Sequence, residues 1–217
     1  VACGAYLLAA LLTTRLGKKG IGPLAHEMTS DIKGFAEMVA GFKTLKSHGD
    51  ALRGIFAIAI QRGGITALTL MALLLQRNTF NPSDDPDAGL RGFAFTLALA
   101  GVGVALGAFL SPLGVIKFGR HYWIKLSLVA PIPFLLLFAL IPNRLTLATA
   151  AFFVGGFGQS VKVSNDALVQ SKISDIYRGR VFAFYDVAVN GAIVSGAIIA
   201  ALILPTSGKS LALPLLI

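Results

Sequence analysis

Long apolar runs alternate with short polar segments along the whole chain. Five of the runs are complete, and each is long enough for an α-helix to cross the hydrocarbon core of a bilayer, which takes about 20 residues at a rise of about 1.5 Å per residue. The pattern therefore predicts an all-α membrane protein, a polytopic bundle of helices. The five predicted transmembrane helices cover residues 54–75, 92–116, 124–142, 145–166 and 181–204.

Two further apolar segments lie at the ends of the sequence. Residues 1–12 are predicted to be the end of a transmembrane helix, and residues 205–217 an outer loop followed by the start of another helix. Residues 13–53 form a cytoplasmic connector. Within it, residues 30–48 have the spacing of an amphipathic helix, which either lies along the membrane surface or is an ordinary solvated connector. The simplest interpretation is an internal piece of a longer polytopic protein.

Composition and charge agree with this prediction. Hydrophobic residues make up 55% of the chain and charged residues 13%, whereas a soluble domain carries about a quarter charged residues. If 13–53 faces the cytoplasm, alternation places 112–125 and 162–180 on the same side, and these three segments hold fourteen of the 19 lysines and arginines. Such a bias is the positive-inside rule of membrane proteins. The net charge of +9 therefore reports orientation in a lipid bilayer and not binding to nucleic acid.

Several other kinds of site are disfavoured. Cys3 is the single cysteine, and the three histidines have no partner at metal-ligand spacing, so we expect no metal, no cofactor and no enzyme. The segment GVGVALG lies in the middle of a predicted span, where it does not match a nucleotide-binding loop. Its Gly103 and Gly107 form a GxxxG step instead, which predicts close packing of two membrane helices.

The most unexpected residue within a span is Arg62. A charge at the centre of a spanning helix costs about 2.5–3.5 kcal/mol on insertion scales and more in simulations, and Arg62 lies about 12 Å past Gly54 at helical rise. Thr66 and Thr69 fall on the same face of the helix. This polar stripe is predicted to line a water-filled cavity. The alternative is a buried ion pair or an arginine that reaches back to the membrane surface.

Two further stripes follow in later spans. Gln159, Lys162, Asp166 and Gln170 recur at helical spacing, and Lys162 and Asp166 are also placed to pair with each other along the helix. In the last complete span, Asn190 follows Asp186 by one turn. The Asp186 carboxylate either exchanges protons or balances a nearby arginine. That these stripes meet in space is a hypothesis.

Three stretches resemble the C-terminal half of a major facilitator superfamily transporter. FAEMVAGFKTLKSHGDALRGIF is similar to the central loop and the beginning of the seventh helix of bacterial exporters. SPLGVIKFGRHYW resembles a degenerate loop motif of the family, in which Lys117, Gly119 and Arg120 match and Ile116 replaces an aspartate. VQSKISDIYRGRVFAFYD is similar to the segment that opens the eleventh helix in drug and siderophore exporters, through 178–180.

The resemblance implies a six-helix half of this fold with truncated first and last helices, completed by an N-terminal six-helix half. It implies a multi-pass protein of the inner (plasma) membrane of a bacterium that exports small amphipathic compounds in exchange for protons, by alternating access. The alternative is a membrane-embedded scaffold or signalling subunit that does not transport. The candidate substrate-cavity residues are Arg62, Thr66, Thr69, Gln159, Lys162, Asp166 and Asn190; Asp186 is the candidate for proton coupling; and the loop motifs are Lys117, Gly119, Arg120, Arg178, Gly179 and Arg180.

Overall fold

A computed structural model describes residues 39, 41–43, 45–81, 85–210 and 213–214, with residues 86, 175 and 176 described by their backbone alone. Most of these residues are helical, the others form turns, bends and irregular connections, and no strand occurs among them. The prediction of an all-α membrane bundle is confirmed. The helices are α1 (Gly49–Asn78), α2 (Pro86–Phe118), α3 (Arg120–Val129), α4 (Ile132–Leu140), α5 (Arg144–Lys172) and α6 (Asp175–Ile203).

Four helical segments of the described chain are long and apolar enough to cross a membrane: Gly49–Asn78, Asp87–Phe118, Arg120–Leu140 and Tyr177–Ile203. The remaining predicted span, 145–166, lies within α5, which is also long at 29 residues. It is less apolar than the others because Gln159, Lys162 and Asp166 follow one another along it. Much of α5 is buried against other helices, so its polar side chains meet protein and not lipid alone.

Capping residues extend the helices beyond the apolar runs. The Asp85 carboxylate accepts a hydrogen bond from the backbone N–H of Ala88 at 2.9 Å and thereby begins α2 six residues before the predicted span. Asn143 and Thr146 form a reciprocal capping box at the start of α5. Gly119 joins α2 to α3 at a φ of 81°, a conformation that favours glycine.

Two prolines divide the third predicted span into α3 and α4. Pro131 and Pro133 have no N–H to donate, so the helical ladder is interrupted between Val129 and Ile132. The carbonyl of Pro131 instead accepts from the backbone N–H groups of Phe134 and Leu135, both at 3.1 Å.

Helix pairs cross where glycines allow the backbones to meet. The most extensive contacts join α2 to α5 and α1 to α6. A Cβ at Gly103 or Gly107 would collide with the backbone of α5 at Phe152 and Gly156. In the second pair, a Cβ at Gly196 of α6 would collide with the carbonyl of Gly63 on α1.

The apolar core consists of two clusters at different levels of the bundle. One includes Leu75 and Phe138, and the other includes Ile55 and Val181. Arg62 lies on α1 between them. Arg62 therefore lies at the level of α1 where the two clusters separate.

The segment before α1 is described only in part. Residues 1–12, most of the connector 13–53 and most of the amphipathic helix predicted at 30–48 lie outside the described residues, as do 211–212 and 215–217. Leu45 is fully buried, and the ring of Phe42 lies 5.0 Å from that of Phe184. The described end of this helix therefore buries its apolar side against α6.

Candidate functional site

The side chain of Arg62 reaches from α1 to α5. Its Nη2 donates to the Oε1 of Gln159 at 3.3 Å, and both residues are half-buried. Beside this contact, Gly158 faces α1, and a Cβ there would lie 3.1 Å from Ile65 Cδ1. No carboxylate among the described residues forms an ion pair with Arg62. The cation is thus held by a neutral amide.

A cavity of about 330 Å³ lies between α1, α2, α4 and α5. Arg62 and Thr69 form part of its wall on α1, and Thr96 forms part of the wall on α2. Most of the remaining wall is apolar. It includes Ile65, Leu68, Phe93, Leu97, Val104, Leu135, Phe138, Leu147 and Val154.

The threonines of the α1 stripe bond to their own helix. Thr66 Oγ1 donates to the carbonyl of Arg62 at 2.9 Å, and Thr69 Oγ1 donates to that of Ile65 at 2.8 Å. Thr69 lines the cavity with Arg62, whereas Thr66 does not. The hydroxyl groups of both threonines therefore already donate their hydrogen bonds within α1.

Lys162 and Asp166 pair along α5, with Nζ and Oδ2 2.6 Å apart. The second oxygen of Asp166 accepts from the hydroxyl of Tyr185, on α6, at 2.8 Å. Tyr185 is 4% exposed. The two residues predicted to line the cavity therefore form a local ion pair fastened to α6, and they lie outside the cavity wall. Sequence reasoning missed Tyr185 because its aromatic neighbours make it resemble an ordinary core residue.

Asp186 and Asn190 lie on a different face of α6 from Tyr185, and both are exposed. Consecutive helical residues point about 100° apart, which explains why Tyr185 is buried while Asp186 is not. The Nδ2 of Asn190 donates to the backbone carbonyl of Asp186 at 2.8 Å. Within the described chain, the Asp186 carboxylate forms no ion pair. The three polar stripes therefore do not converge on one point.

A buried amide lies further along the interface of α1 and α5. Asn165 is 1% exposed and packs against Gly54, where a Cβ would collide with its side chain. Its amide lies close to the Tyr185 hydroxyl, without a hydrogen bond of standard geometry. The interface between α1 and α5 is thus polar over several turns, although Asn165 itself gave no signal in the sequence pattern.

Both basic loop motifs attach to the end of α5. Arg120 Nη1 donates to Ser171 Oγ at 2.9 Å, and Arg178 Nη2 donates to the carbonyl of Gln170 at 3.3 Å. Lys117 lies above the ring of Phe118, with 5.3 Å from Nζ to the centroid. The remaining motif residues, Gly179 and Arg180, lie in the first turns of α6.

A hydrogen-bond network includes Thr96 of the cavity wall. Gln76 Nε2 donates to Thr96 Oγ1 at 3.1 Å, and both residues are almost fully buried. Asn81 Nδ2 donates to the carbonyl of Gln76 at 2.6 Å, and Arg144 donates to Asn81 Oδ1 at 2.8 Å. This network joins the ends of α1, α2 and α5. Sequence reasoning missed it because Gln76 marked only a helix end. No group of three metal-binding side chains occurs in the described part of the chain.

Comparison with known proteins gives distant relatives. No family model matches the chain. No solved structure gives a significant match. Over 209 residues, 94% of this chain, the sequence is 25% identical to an uncharacterized MFS-type transporter of Mycobacterium bovis and to one of Mycobacterium tuberculosis. The match covers 46% of each relative, so the chain spans about half of their length.

Proposed function

We propose that the chain is part of a secondary active transporter of the major facilitator type. The observation that carries this proposal is the cavity of about 330 Å³ with Arg62 in its wall, on a helix that is otherwise apolar enough to span a membrane. A cation is rarely retained at such a depth unless it faces a cavity or a partner. The likeness to two MFS-type transporters over 94% of the chain supports the same class.

Alternating access is the mechanism we propose. In transporters built from two halves, the substrate site lies near the bilayer midplane, and the halves rock around it. Arg62 and Gln159 occur on two different helices at one level, between the two apolar clusters, which suits such a site. We infer that the rest of the protein supplies the second half and that the whole exports small amphipathic compounds from a bacterial cell.

Asp186 is the residue that we assign to proton coupling. A coupling carboxylate has to gain and lose a proton, which an intimate ion pair with a lysine opposes. Asp166 has such a partner in Lys162 at 2.6 Å, whereas Asp186 has none among the described residues. In the proposed antiport, a proton binds Asp186 from the outside and is released to the inside as the substrate leaves.

The test is transport by the full-length protein in vesicles with an acidic lumen. The probes are 1-anilinonaphthalene-8-sulfonate (an anion), N-phenyl-1-naphthylamine (neutral) and ethidium (a cation). We expect at least one to accumulate as protons leave. Asp186→Asn should abolish accumulation but keep exchange without a gradient, while Asp50→Asn, an exposed residue near the start of α1, should retain both.

Absence of gradient-driven movement of all three probes would overturn the exporter proposal. The alternative, a scaffold or signalling subunit, requires that result and also that Arg62→Ala change nothing in the assay. Accumulation that survives Asp186→Asn would leave transport standing and remove Asp186 from the coupling mechanism.

A further inference from the structure

We propose that the cavity selects amphipathic anions, with the acidic group of the ligand bound to Arg62 and its apolar body held between α2, α4 and α5. The inference rests on the proposed transport function and names the substrate class of that same site. Its basis is the distribution of charge and of hydrogen-bond donors over the cavity wall.

Arg62 is the ionisable residue among those that line the cavity. The nearest acid on α5, Asp166, is already occupied by Lys162 and Tyr185. Asp186 lies on an exposed face of α6 and does not line the cavity. Among the described residues that line the cavity, a cationic ligand would therefore meet a like charge with no carboxylate to offset it, in surroundings of low dielectric where charge interactions are strong.

The guanidinium of Arg62 has donors to spare. It has five N–H groups in a planar fork that matches the oxygens of carboxylate, sulfonate or phosphate groups. The described contact uses Nη2, and its partner is the neutral Oε1 of Gln159 at a long 3.3 Å. Gln159 is therefore a positioning residue that holds the fork beside the cavity, and an anion offers a stronger acceptor than this amide.

The other polar groups of the wall have little to donate. Thr69 Oγ1 donates to the carbonyl of Ile65, and Thr96 Oγ1 donates to that of Gly92 at 2.9 Å. Thr96 Oγ1 also accepts a hydrogen bond from Gln76, on the side of the cavity away from Arg62. A ligand with several acceptors would leave most of them unsatisfied, at a penalty. One acidic group and an apolar body fit the wall better.

The size of the cavity agrees with this ligand class. About 330 Å³ is at the lower end of the range of roughly 300–1000 Å³ for small-molecule sites. The cavity is bounded by Arg62 on α1 and by the Gln76–Thr96 hydrogen bond further along. A ligand in this space would have its charged and its apolar parts at opposite ends.

Binding is measured with the full-length protein in nanodiscs of zwitterionic lipid, with empty nanodiscs subtracted. The probes 1-anilinonaphthalene-8-sulfonate and N-phenyl-1-naphthylamine differ by one sulfonate, and both fluoresce in apolar surroundings. We expect Arg62→Gln to weaken binding of the sulfonate roughly 10- to 100-fold, the usual value of a hydrogen bond to a charged group. Binding of the neutral probe should change less than twofold, and Arg62→Lys should retain part of the sulfonate affinity.

Two further variants serve as controls. Arg53→Gln removes an exposed arginine from the same helix and should leave both probes unaffected. Ala151→Phe fills the cavity and should reduce binding of both probes, which shows that they occupy this space. Each variant is first checked for a single symmetric peak in gel filtration.

Equal binding of the sulfonate to wild type and Arg62→Gln would overturn the proposal. That result is expected if Arg62 is paired with a carboxylate in the rest of the protein. Equal loss of both probes in Arg62→Gln would also overturn it. The proposed function fails separately: Arg62-dependent binding of the sulfonate without gradient-driven flux of any probe refutes transport. Gradient-driven flux of the sulfonate that is unchanged in Arg62→Gln refutes anion selection.

Discussion

Gly107 and Gly101 lie on the same helix and should respond in opposite ways to the same substitution. At Gly107 a Cβ would collide with the carbonyl and Cα of Gly156 on α5, which are backbone atoms that no side-chain rotation can move. At Gly101 no heavy atom lies within 4 Å of the added Cβ. Both positions lie within a helix, so alanine has the same advantage over glycine in helix propensity at each, about 1 kcal/mol.

The magnitude at Gly107 follows from what the collision displaces. α2 and α5 must separate by about an ångström to restore van der Waals contact, and overpacking of this kind costs about 1–3 kcal/mol. The separation also strains two hydrogen bonds at this interface, from Ser160 Oγ to the Gly107 carbonyl at 3.0 Å and between Ser111 and Ser164 at 2.9 Å. After the gain in helix propensity of about 1 kcal/mol, we expect Gly107→Ala to lower stability by up to about 2 kcal/mol.

The assay is unfolding of the full-length protein in mild detergent, followed by circular dichroism at increasing sodium dodecyl sulfate. Gly107→Ala should unfold at a lower denaturant fraction than wild type, and Gly101→Ala at the same fraction or a higher one. Equal midpoints for the two variants would refute the reasoning, because they would show that α2 and α5 do not approach through Gly107.

Two other substitutions test the hydrogen-bond networks. Tyr185→Phe removes the donor to Asp166 and should lower stability by about 1 kcal/mol, as hydrogen bonds between membrane helices average about 0.6 and reach about 1.7 kcal/mol; Tyr177→Phe, exposed on the same helix, should have no effect on the same unfolding curve. Gln76→Leu leaves Thr96 without its donor and loosens the end of the cavity, so hydrogen exchange at the C-terminal end of α1 should become faster, and unchanged exchange would contradict the role of the network.

The sequence predicted the helices well, and the reason is physical. An apolar run of about 20 residues has few other stable structures in a membrane, so hydropathy predicts helices there. Four helical segments of the described chain are long and apolar enough to span, and the helix that holds the fifth predicted run, α5, is not among them. Arg62 could be identified as a candidate functional residue for the same reason, because a charged side chain within an apolar span is costly unless it faces a cavity or a partner. The break at Pro131 and the cap at Asp85, which the structure shows, occur at residues with strong local preferences.

The arrangement of the polar residues could not be predicted in the same way. Helical spacing shows which residues share a face but not which helix that face meets. Asp166 and Asp186 each fall on a polar stripe, yet one is fastened to Lys162 and the other is exposed. Tyr185 and Gln76 act through partners about 20 residues away in sequence, which no periodic pattern reports.

Arg62 and Asp186 are the charges with the clearest parts in the proposed exchange, and they do not touch. They are connected through the pair of α1 and α6, however. Gly63, next to Arg62, lies against the carbonyl of Ala192, and a Cβ there would be 2.7 Å from it. Ala192 follows Asp186 by less than two turns of α6. Because the two backbones meet without an intervening side chain, any tilt of α6 that accompanies proton binding moves the backbone beside Arg62. In the proposed exchange, coupling between proton and anion would therefore require no direct contact between Asp186 and Arg62.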